Sequence, residues 1–363
     1  MSSHDLQHMR HALALAERAL GTTAPNPAVG CVIVKDERVV GRGWTQPGGR
    51  PHAEVVALAE AGEQARGATA YVTLEPCAHQ GETPPCANAL AQAGVARVVS
   101  AVEDPDPRVS GKGIAMLREG GVEVMTGVLE KEAAALNAGF FLRVTKSRPL
   151  VMLKVAQSID GKTATVSGQS KWITGPEARR YGHLLRAKHD AILVGIETAL
   201  ADNPDLTCRI AGLEERSPIR VVLDTRLRLE DSSKLAKTAK QTPTRVYTTA
   251  SGGSSLAARG VEVIRVKKDV RGRPDIAAVL KDLAKIGVTR LLVEGGASVH
   301  ASFLDRGFAD RLEIFRAPLL LGASGRNGID ALAALDLDEA SRFVSLGMRK
   351  LGPDMLESFA ARA

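Results

Sequence analysis

The sequence predicts an α/β protein built as two domains. Three observations carry this. The chain has 363 residues, against roughly 100–200 for an ordinary single domain. Short apolar β-type runs alternate with amphipathic stretches along most of it, the pattern of a mostly parallel sheet covered by helices. A polar, basic, proline-ended segment, RVTKSRP (143–149), interrupts the alternation. The boundary falls there, giving domains 1–147 and 148–363.

The elements follow in order. Leu6, Met9, Leu13, Ala16 and Leu20 recur at spacings of three and four, one apolar face of a first helix that Gly21 ends. VGCVIV (29–34), a KDER turn and VVGRGW (39–44) form a hairpin. A helix begins near residue 53. AYVTL (70–74) is a strand, a helix opens at Cys86, and ARVVSAV (96–102) is the next strand. A helix (112–120), a short strand (122–125) and a helix near 130–138 complete the first half. The second half opens with strand LVMLKVA (150–156). Further strands are AILVG (191–195), IRVVLD (219–224), TRVYTT (244–249), VEVIRV (261–266), TRLLVEG (289–295) and RLEIF (311–315). Helices fit 176–188, 275–286 and 297–306. SGGSS (251–255) reads as a flexible turn, and the halves share no internal repeat.

Composition narrows the class. No apolar run approaches the roughly 20 residues of a membrane span, and the N-terminus lacks the apolar stretch of a signal peptide. A cytoplasmic protein without a membrane partner is expected. The net charge is +7, yet aromatic residues make up only 3%, poor material for stacking nucleic-acid bases. The charge reads as a solvated surface plus a few phosphate-binding side chains, with no nucleic-acid partner. The four cysteines are too few and too uneven for a disulfide framework. Cys31 lies in an apolar strand and Cys208 stands alone; both read as structural.

The other two cysteines belong to a constellation. His52-Ala53-Glu54 opens a helix after QPGGRP, Glu75-Pro76-Cys77 follows a strand, and Pro84-Pro85-Cys86 opens the next helix. A catalytic zinc takes three protein ligands and keeps one position for water, whose pKa falls to about 7 there. His52, Cys77 and Cys86 supply the three. Glu54, two residues after the histidine, suits the proton carrier, because the H-x-E glutamate of zinc deaminases is an acid–base and not a ligand. Both cysteines are expected at helix N-termini, which favour thiolate. Alone, a histidine at a helix start is usually a surface feature, and a cysteine between prolines is usually core; their conjunction in this order is what points to chemistry. Cytidine and tRNA adenosine deaminases use a tight P-C-x-x-C; here eight residues separate the cysteines, a loop shaped by Gly81, Pro84 and Pro85. His79 lies in that loop and is expected at the substrate.

PNPAVGCVIV (25–34), PHAEVVAL (51–58) and TLEPCAHQGETPPC (73–86) resemble the riboflavin-pathway pyrimidine deaminase. KVAQSIDGKTA (154–164), GQSKWIT (168–174), ALADNPDLTCR (199–209) and LLVEGGASV (291–299) resemble the pyrimidine reductase fused to it. The resemblance spans nearly the whole chain. It implies a cytidine-deaminase-like three-layer domain followed by a dihydrofolate-reductase-like domain. It implies a bifunctional enzyme that binds Zn2+ and NADPH. The first reaction removes the 2-amino group of 2,5-diamino-6-(5-phosphoribosylamino)pyrimidin-4(3H)-one with a zinc-activated water. The second reduces the ribosyl group of 5-amino-6-(5-phosphoribosylamino)uracil to ribityl. Asn26 orients the deaminase substrate by similarity. Two positions depart from the pattern: many relatives carry histidine where this chain has Thr45, and a basic residue where it has Glu82.

No G-x-G-x-x-G follows a strand. Glu294-Gly295-Gly296 instead joins an apolar strand to a helix, and the glycines and helix N-terminus suit a pyrophosphate. The cofactor segment is therefore Gly296, Ala297, Ser298, Val299, His300, Ala301 and Ser302. Similarity adds Ala156, Trp172, Thr198, Asp202 and Thr225 to the cofactor, with Trp172 alternatively in the core. It puts Ser170, Arg186, Leu206, Arg209 and Glu294 at the substrate, where arginines and a hydroxyl suit a phosphomonoester. Lys154 joins them as a group that can stabilise charge. A homo-oligomer is an accompanying expectation. Two other readings compete: a nucleoside or tRNA-base deaminase with an unrelated appendage, and a non-catalytic zinc-stabilised scaffold.

Overall fold

The structure, a computed structural model, describes residues 2–79, 84–107, 109–334 and 336–362. The chain divides into two compact units, Met1–Arg148 and Pro149–Ala363.

The first unit contains helices α1 (Ser3–Glu17), α2 (Ala53–Ala61), α3 (Cys86–Gln92), α4 (Lys112–Glu119), α5 (Glu130–Leu136) and α6 (Ala138–Lys146). Its strands are β1 (Gly30–Lys35), β2 (Arg38–Trp44), β3 (Thr69–Val72), β4 (Arg97–Ser100) and β5 (Glu123–Thr126), ordered β2-β1-β3-β4-β5. Asp36 and Glu37 both take positive φ, 48° and 62°, the two-residue turn that matches strand twist. That hairpin makes β2 and β1 antiparallel; β3, β4 and β5 run parallel. This half of the expected parallel sheet is therefore mixed.

Alternation along β1 sets three layers. A Cβ on Gly30 would lie 1.9 Å from the Ala12 carbonyl oxygen of α1. On the opposite face, a Cβ on Gly43, the partner of Cys31, would lie 2.1 Å from the Ala53 oxygen of α2. Only glycine lets both helices approach so closely. Of the predicted face of α1, Met9 and Ala16 are buried, together with Asp5, Ala12 and Leu15, while its leucines are not. Small alanines fit the narrow gap at Gly30, and Leu6 and Leu13 pack at the margin.

The second unit has strands β6 (Leu150–Ser158), β7 (Lys162–Ala164), β8 (Ala191–Gly195), β9 (Ile219–Leu223), β10 (Thr244–Thr248), β11 (Glu262–Arg265), β12 (Arg290–Gly295), β13 (Arg311–Ala317), β14 (Arg326–Asn327), β15 (Phe343–Leu351) and β16 (Asp354–Ala361). Its helices are α7 (Pro176–Ala187), α8 (Ile196–Asp202), α9 (Lys234–Lys237), α10 (Ser254–Ala258), α11 (Ile276–Lys285) and α12 (Ala297–Asp305). The main sheet runs β11-β10-β9-β8-β12-β6-β13-β16-β15 and is parallel up to β13. β16 and β15 close it antiparallel. Met152 of β6 packs in one core with Ala178 and Leu185 of α7; its neighbours Val151 and Leu153 pack in another with α11 and α12. Helices thus cover both faces, and the carboxyl ends of the parallel strands open onto one edge, where ligands of such sheets bind.

Besides the short elements β7, β14 and α9, which the sequence reading lacked, other features depart from expectation. α8 follows β8 without an intervening loop, β15 and β16 continue the sheet past the predicted last strand, and α6 extends the first unit. The SGGSS segment enters a helix, with Gly253 at φ 99° as the residue before α10.

Candidate active sites

In the first unit the loop ends beside β1 and β3 meet the starts of α2 and α3. His52 is the residue before α2 and Glu54 sits buried in its first turn. Cys86 is the first residue of α3. Cys77 lies in irregular chain after β3, so the expected second helix N-terminus is not its own. Its sulfur instead accepts the Cys86 backbone N–H at 3.3 Å, and so still meets the positive end of α3.

His52 Nδ1 lies 3.3 Å from Cys86 Sγ and 3.7 Å from Cys77 Sγ. One donor atom from each of the three residues falls within 4.8 Å of the others. Tetrahedral zinc with ordinary Zn–N and Zn–S bonds needs ligand–ligand distances of about 3.5–3.8 Å. Both the spacing and the imidazole–thiolate donor set fit that ion. Hydrogen bonds from Cys86 hold the Cys77 thiol down to about 4, and the same contact, with burial, pushes the Cys86 thiol up, so that without metal Cys77 carries the charge of the pair. Burial pushes the Glu54 carboxyl up to about 7, and the neighbouring Cys77 sulfur adds to the rise.

The cluster opens into a cavity of about 210 Å³ lined by His52, Glu54, Cys77, Asn26, Thr45 and His79 among others. Among the described residues, buried His79 Nδ1 has no hydrogen-bond partner, and His79 is outside the three-residue cluster. Thr45 Oγ1 accepts the Val29 N–H at 3.0 Å, so it closes the strand end as well as lining the cavity. Asn26 packs against Gly49, where a Cβ would lie 1.9 Å from Asn26 Nδ2. Gly81 and Glu82 lie outside the described residues.

Sequence reasoning missed Arg50, Asp104, Asp106 and Phe140 on the same wall. Nothing in their local pattern marks them. It also left Glu75 without a role. Its buried carboxylate accepts N–H groups from Asp104 (3.2 Å), Gly111 (3.0 Å), Gly113 (2.9 Å) and Ile114 (3.2 Å). Glu75 therefore ties the Cys77 loop to the start of α4.

In the second unit a cleft of about 670 Å³ lies at the carboxyl ends of β6, β8 and β12. It collects Lys154, Ala156, Ser170, Trp172, Arg186, Thr198, Asp202, Leu206, Arg209, Glu294, Gly296, Ala297 and His300. Thr198 and Asp202 reach it on α8, the helix absent from the sequence reading. Trp172 is 67% exposed and stacks on Arg179 at 4.6 Å, which excludes the core alternative. A second cavity of about 420 Å³ shares Glu197, Thr198 and Gly296 with the cleft and holds Thr225, Ser298, Val299 and Ser302. Ala301 is buried and lines neither.

At the floor of the cleft Arg186 grips Glu294 through two hydrogen bonds of 2.7 and 2.9 Å, and Lys154 Nζ stands 4.0 Å from the same carboxylate. Burial would raise Glu294, but Arg186 and Lys154 outweigh it and hold the carboxyl at about 2. Burial in turn lowers Lys154. Arg186 is thus largely committed to a protein partner.

The fold and the two sites define a class: a zinc-deaminase-type unit followed by a dinucleotide-scale reductase unit in one chain. The family model described as the cytidine and deoxycytidylate deaminase zinc-binding region matches residues 2–102. The RibD C-terminal domain matches residues 149–356. The chain is 42% identical to the riboflavin biosynthesis protein RibD of Aquifex aeolicus, over 98% of each chain. It is 42% identical to that of Escherichia coli, over 97% of this chain and 98% of the relative. Two solved structures cover 99% of both chains: Acinetobacter baumannii RibD (form 1), at TM-score 0.89 and 40% identity, and a diaminohydroxyphosphoribosylaminopyrimidine deaminase/5-amino-6-(5-phosphoribosylamino)uracil reductase from Thermotoga maritima, at 0.87 and 34%. The chain belongs to the RibD family of riboflavin biosynthesis proteins. Among the described residues, no helix is long and apolar enough to cross a membrane.

Proposed function

We propose that this chain catalyses two consecutive steps of riboflavin biosynthesis, deamination in residues 1–147 and reduction in residues 148–363. The observation that carries the reading is the His52–Cys77–Cys86 donor cluster with buried Glu54 on the same cavity wall, in a chain whose second unit has a separate cleft. The competing scaffold reading leaves Glu54 without a purpose: a carboxyl buried beside a structural metal only costs desolvation.

In the deaminase, His52, Cys77 and Cys86 hold the metal. Zinc, when bound, supplies an acidified water as nucleophile. Glu54 would carry one proton of that water to the ring nitrogen and the second, from the hydroxyl left on C2, to the amino group, so that ammonia leaves as the carbonyl forms. Its raised pKa suits a group that both accepts and donates near neutral pH. Asn26 orients the pyrimidine, and His79 has an open Nδ1 to offer it. The cavity of about 210 Å³ favours a small pyrimidine over a base presented on RNA.

In the reductase, bound NADPH supplies hydride to C1′ of the ribose, with one proton taken up as the ring opens to ribityl. Ala156, Trp172, Thr198, Asp202, Thr225 and the segment from Gly296 to Ser302 bind the cofactor, with Ala301 as packing beneath it. Lys154, Ser170, Arg186, Leu206, Arg209 and Glu294 form the substrate side. The Arg186–Glu294 pair fixes a carboxylate of low pKa at the floor, so Glu294 offers hydroxyl recognition and not a proton. Lys154, above it and made less basic by burial, is the nearer proton source.

The reading places the protein in the cytoplasm, where thiols such as Cys77 and Cys86 stay reduced. It also includes a homo-oligomer, to which exposed Val344, Leu346 and Met348 on edge strand β15 offer one apolar surface. The test is the activity of each half on its own substrate. Deamination lost on chelation, with reduction of the deaminated ribotide retained, supports it; failure of the deaminated ribotide to oxidise NADPH removes the reductase half.

A further inference from the structure

We infer that four arginines around the outer cavity of the second unit read the phosphomonoester on the adenosine ribose, and so set the preference for NADPH over NADH. The inference rests on the reductase reading above and names the groups that decide its cofactor. No pattern in the sequence marked them.

The outer cavity is continuous with the substrate cleft through Glu197, Thr198 and Gly296. A dinucleotide whose nicotinamide lies in the cleft must therefore send its adenosine half outward. The cavity, about 420 Å³, is of the size that small-ligand sites occupy. Ile196, Leu223, Pro274, Ile276 and Val299 give it an apolar wall suited to a purine. Gly296, Ser298 and Ser302 bring the start of α12 to the shared edge, where a pyrophosphate would pass.

The charge at the outer end is the deciding feature. Arg226, Arg228, Arg271 and Arg273 line the cavity with only two carboxylates, Glu197 and Asp269. Both are engaged. Glu197 pairs with Arg228. Asp269 Oδ1 accepts the backbone N–H groups of Arg271 (2.9 Å) and Arg273 (2.8 Å), and its Oδ2 accepts from Arg306 (3.2 Å). Among the described residues, no carboxylate pairs with the side chains of Arg226, Arg271 or Arg273. Asp269 spends its charge shaping the turn that carries two of the arginines. The Lys268–Pro274 bridge closes that turn.

An unphosphorylated dinucleotide does not need such an excess of charge. Its two pyrophosphate charges lie at the α12 end, among glycine and serine. A dinucleotide with a 2′-phosphate adds about two more charges, with three acceptor oxygens, at the far ribose. Guanidinium groups match that geometry with paired N–H donors, and an arginine beside the adenosine ribose is the usual mark of NADP sites.

The test compares kcat/KM for NADPH and NADH, with the deaminated ribotide as substrate. The proteins are the unmodified chain, an Arg271→Gln/Arg273→Gln double variant and an Arg226→Gln variant. These side chains are at the surface, and a thermal melt by circular dichroism that matches the unmodified chain reports that the second unit of each variant is folded. The inference predicts that the NADPH-over-NADH ratio falls by about tenfold or more in the double variant. An unchanged ratio, including equal losses with both cofactors, overturns it. If the unmodified chain oxidises neither cofactor, the reductase reading fails. Calorimetric binding of 2′,5′-ADP against 5′-AMP then judges the arginines by themselves. Tighter 2′,5′-ADP binding that the double variant loses upholds them, and equal binding of the two overturns them.

Discussion

Arg186 and Glu294 meet end to end at the floor of the reductase cleft, Nε to Oε1 at 2.7 Å and Nη2 to Oε2 at 2.9 Å. Both side chains are mostly buried, 15% and 9% exposed. Removing one partner leaves a charge in a poorly solvated place. Arg186→Met should therefore destabilise the second unit by about 3 kcal/mol, read as faster hydrogen exchange in β12. The sign with pH follows from Glu294, whose carboxyl is held near 2 against an ordinary 4.5. Its contribution is complete above the ordinary value and is lost as pH falls through the folded one. The gap between the unmodified chain and the variant should close between about pH 4.5 and pH 2; a gap constant over that window would deny the pair its role.

Glu54→Gln should keep zinc and lose deamination by about two to four orders of magnitude, the usual size of acid–base catalysis. Metal content and turnover are measured on the same sample. Reduction of the deaminated ribotide should be unaltered, since the two sites lie in separate units. Retained deamination in a metal-replete sample would remove Glu54 from the chemistry.

Gly113 offers a test of the loop that carries Cys77. A Cβ there would lie 1.9 Å from the Pro76 carbonyl oxygen, a contact the backbone must move to relieve. Gly113→Ala should push Pro76, and Cys77 with it, and weaken zinc binding by tenfold or more, on the order of a disturbed outer-shell contact. Competition with a chromogenic chelator reads this directly. Zinc affinity equal to that of the unmodified chain would show that the loop yields without moving the sulfur.

Arg220 is fully buried in β9, and among the described residues no carboxylate forms an ion pair with it; Asp205 acts on it only from a distance. Its guanidinium donates to the carbonyls of Asp205 (3.3 Å), Leu235 (3.1 Å) and Thr242 (2.7 Å), and to the Thr238 hydroxyl (2.7 Å). It thereby pins the loop that carries Leu206 and Arg209 toward the cleft. Arg220→Met orphans several acceptors, at about 1–3 kcal/mol each. The expected result is a large loss of thermal stability and a raised KM for the ribotide. Wild-type stability would mean that water replaces the guanidinium without loss.

The sequence exposed these features unevenly. The zinc ligands were legible because three residues of two uncommon types sit at turns whose chemistry is local: His52 before a helix, Cys77 after a strand and Cys86 at a helix start. The first hairpin, though read with a four-residue turn where the structure has two, and the parallel strands of the second unit were legible from apolar runs between turn residues. What was not legible depends on long-range packing. α8 begins directly on β8, with Gly195 both ending the strand and capping the helix, so no loop separates the two. β15 is exposed along most of its length and irregular near Gly347, so it carries no alternating signal. The arginines of the outer cavity come from two separate loops, and Glu75 meets its four donors 29 to 39 residues away in sequence. Cys77 was assigned a helix N-terminus of its own, whereas it borrows that of Cys86.

The central claim is that one chain performs zinc-dependent deamination and then NADPH-dependent reduction. The most direct measurement is NADPH oxidation, followed by the absorbance of the reduced nicotinamide, with the diaminopyrimidine ribotide supplied before and after zinc is removed by a chelator. The account predicts oxidation before chelation and none after it, while the already deaminated ribotide still drives oxidation in the chelated sample. Oxidation of the diamino compound that survives complete zinc removal would contradict the order of the two steps, and no oxidation with either compound in a folded, zinc-replete sample would contradict the reductase itself.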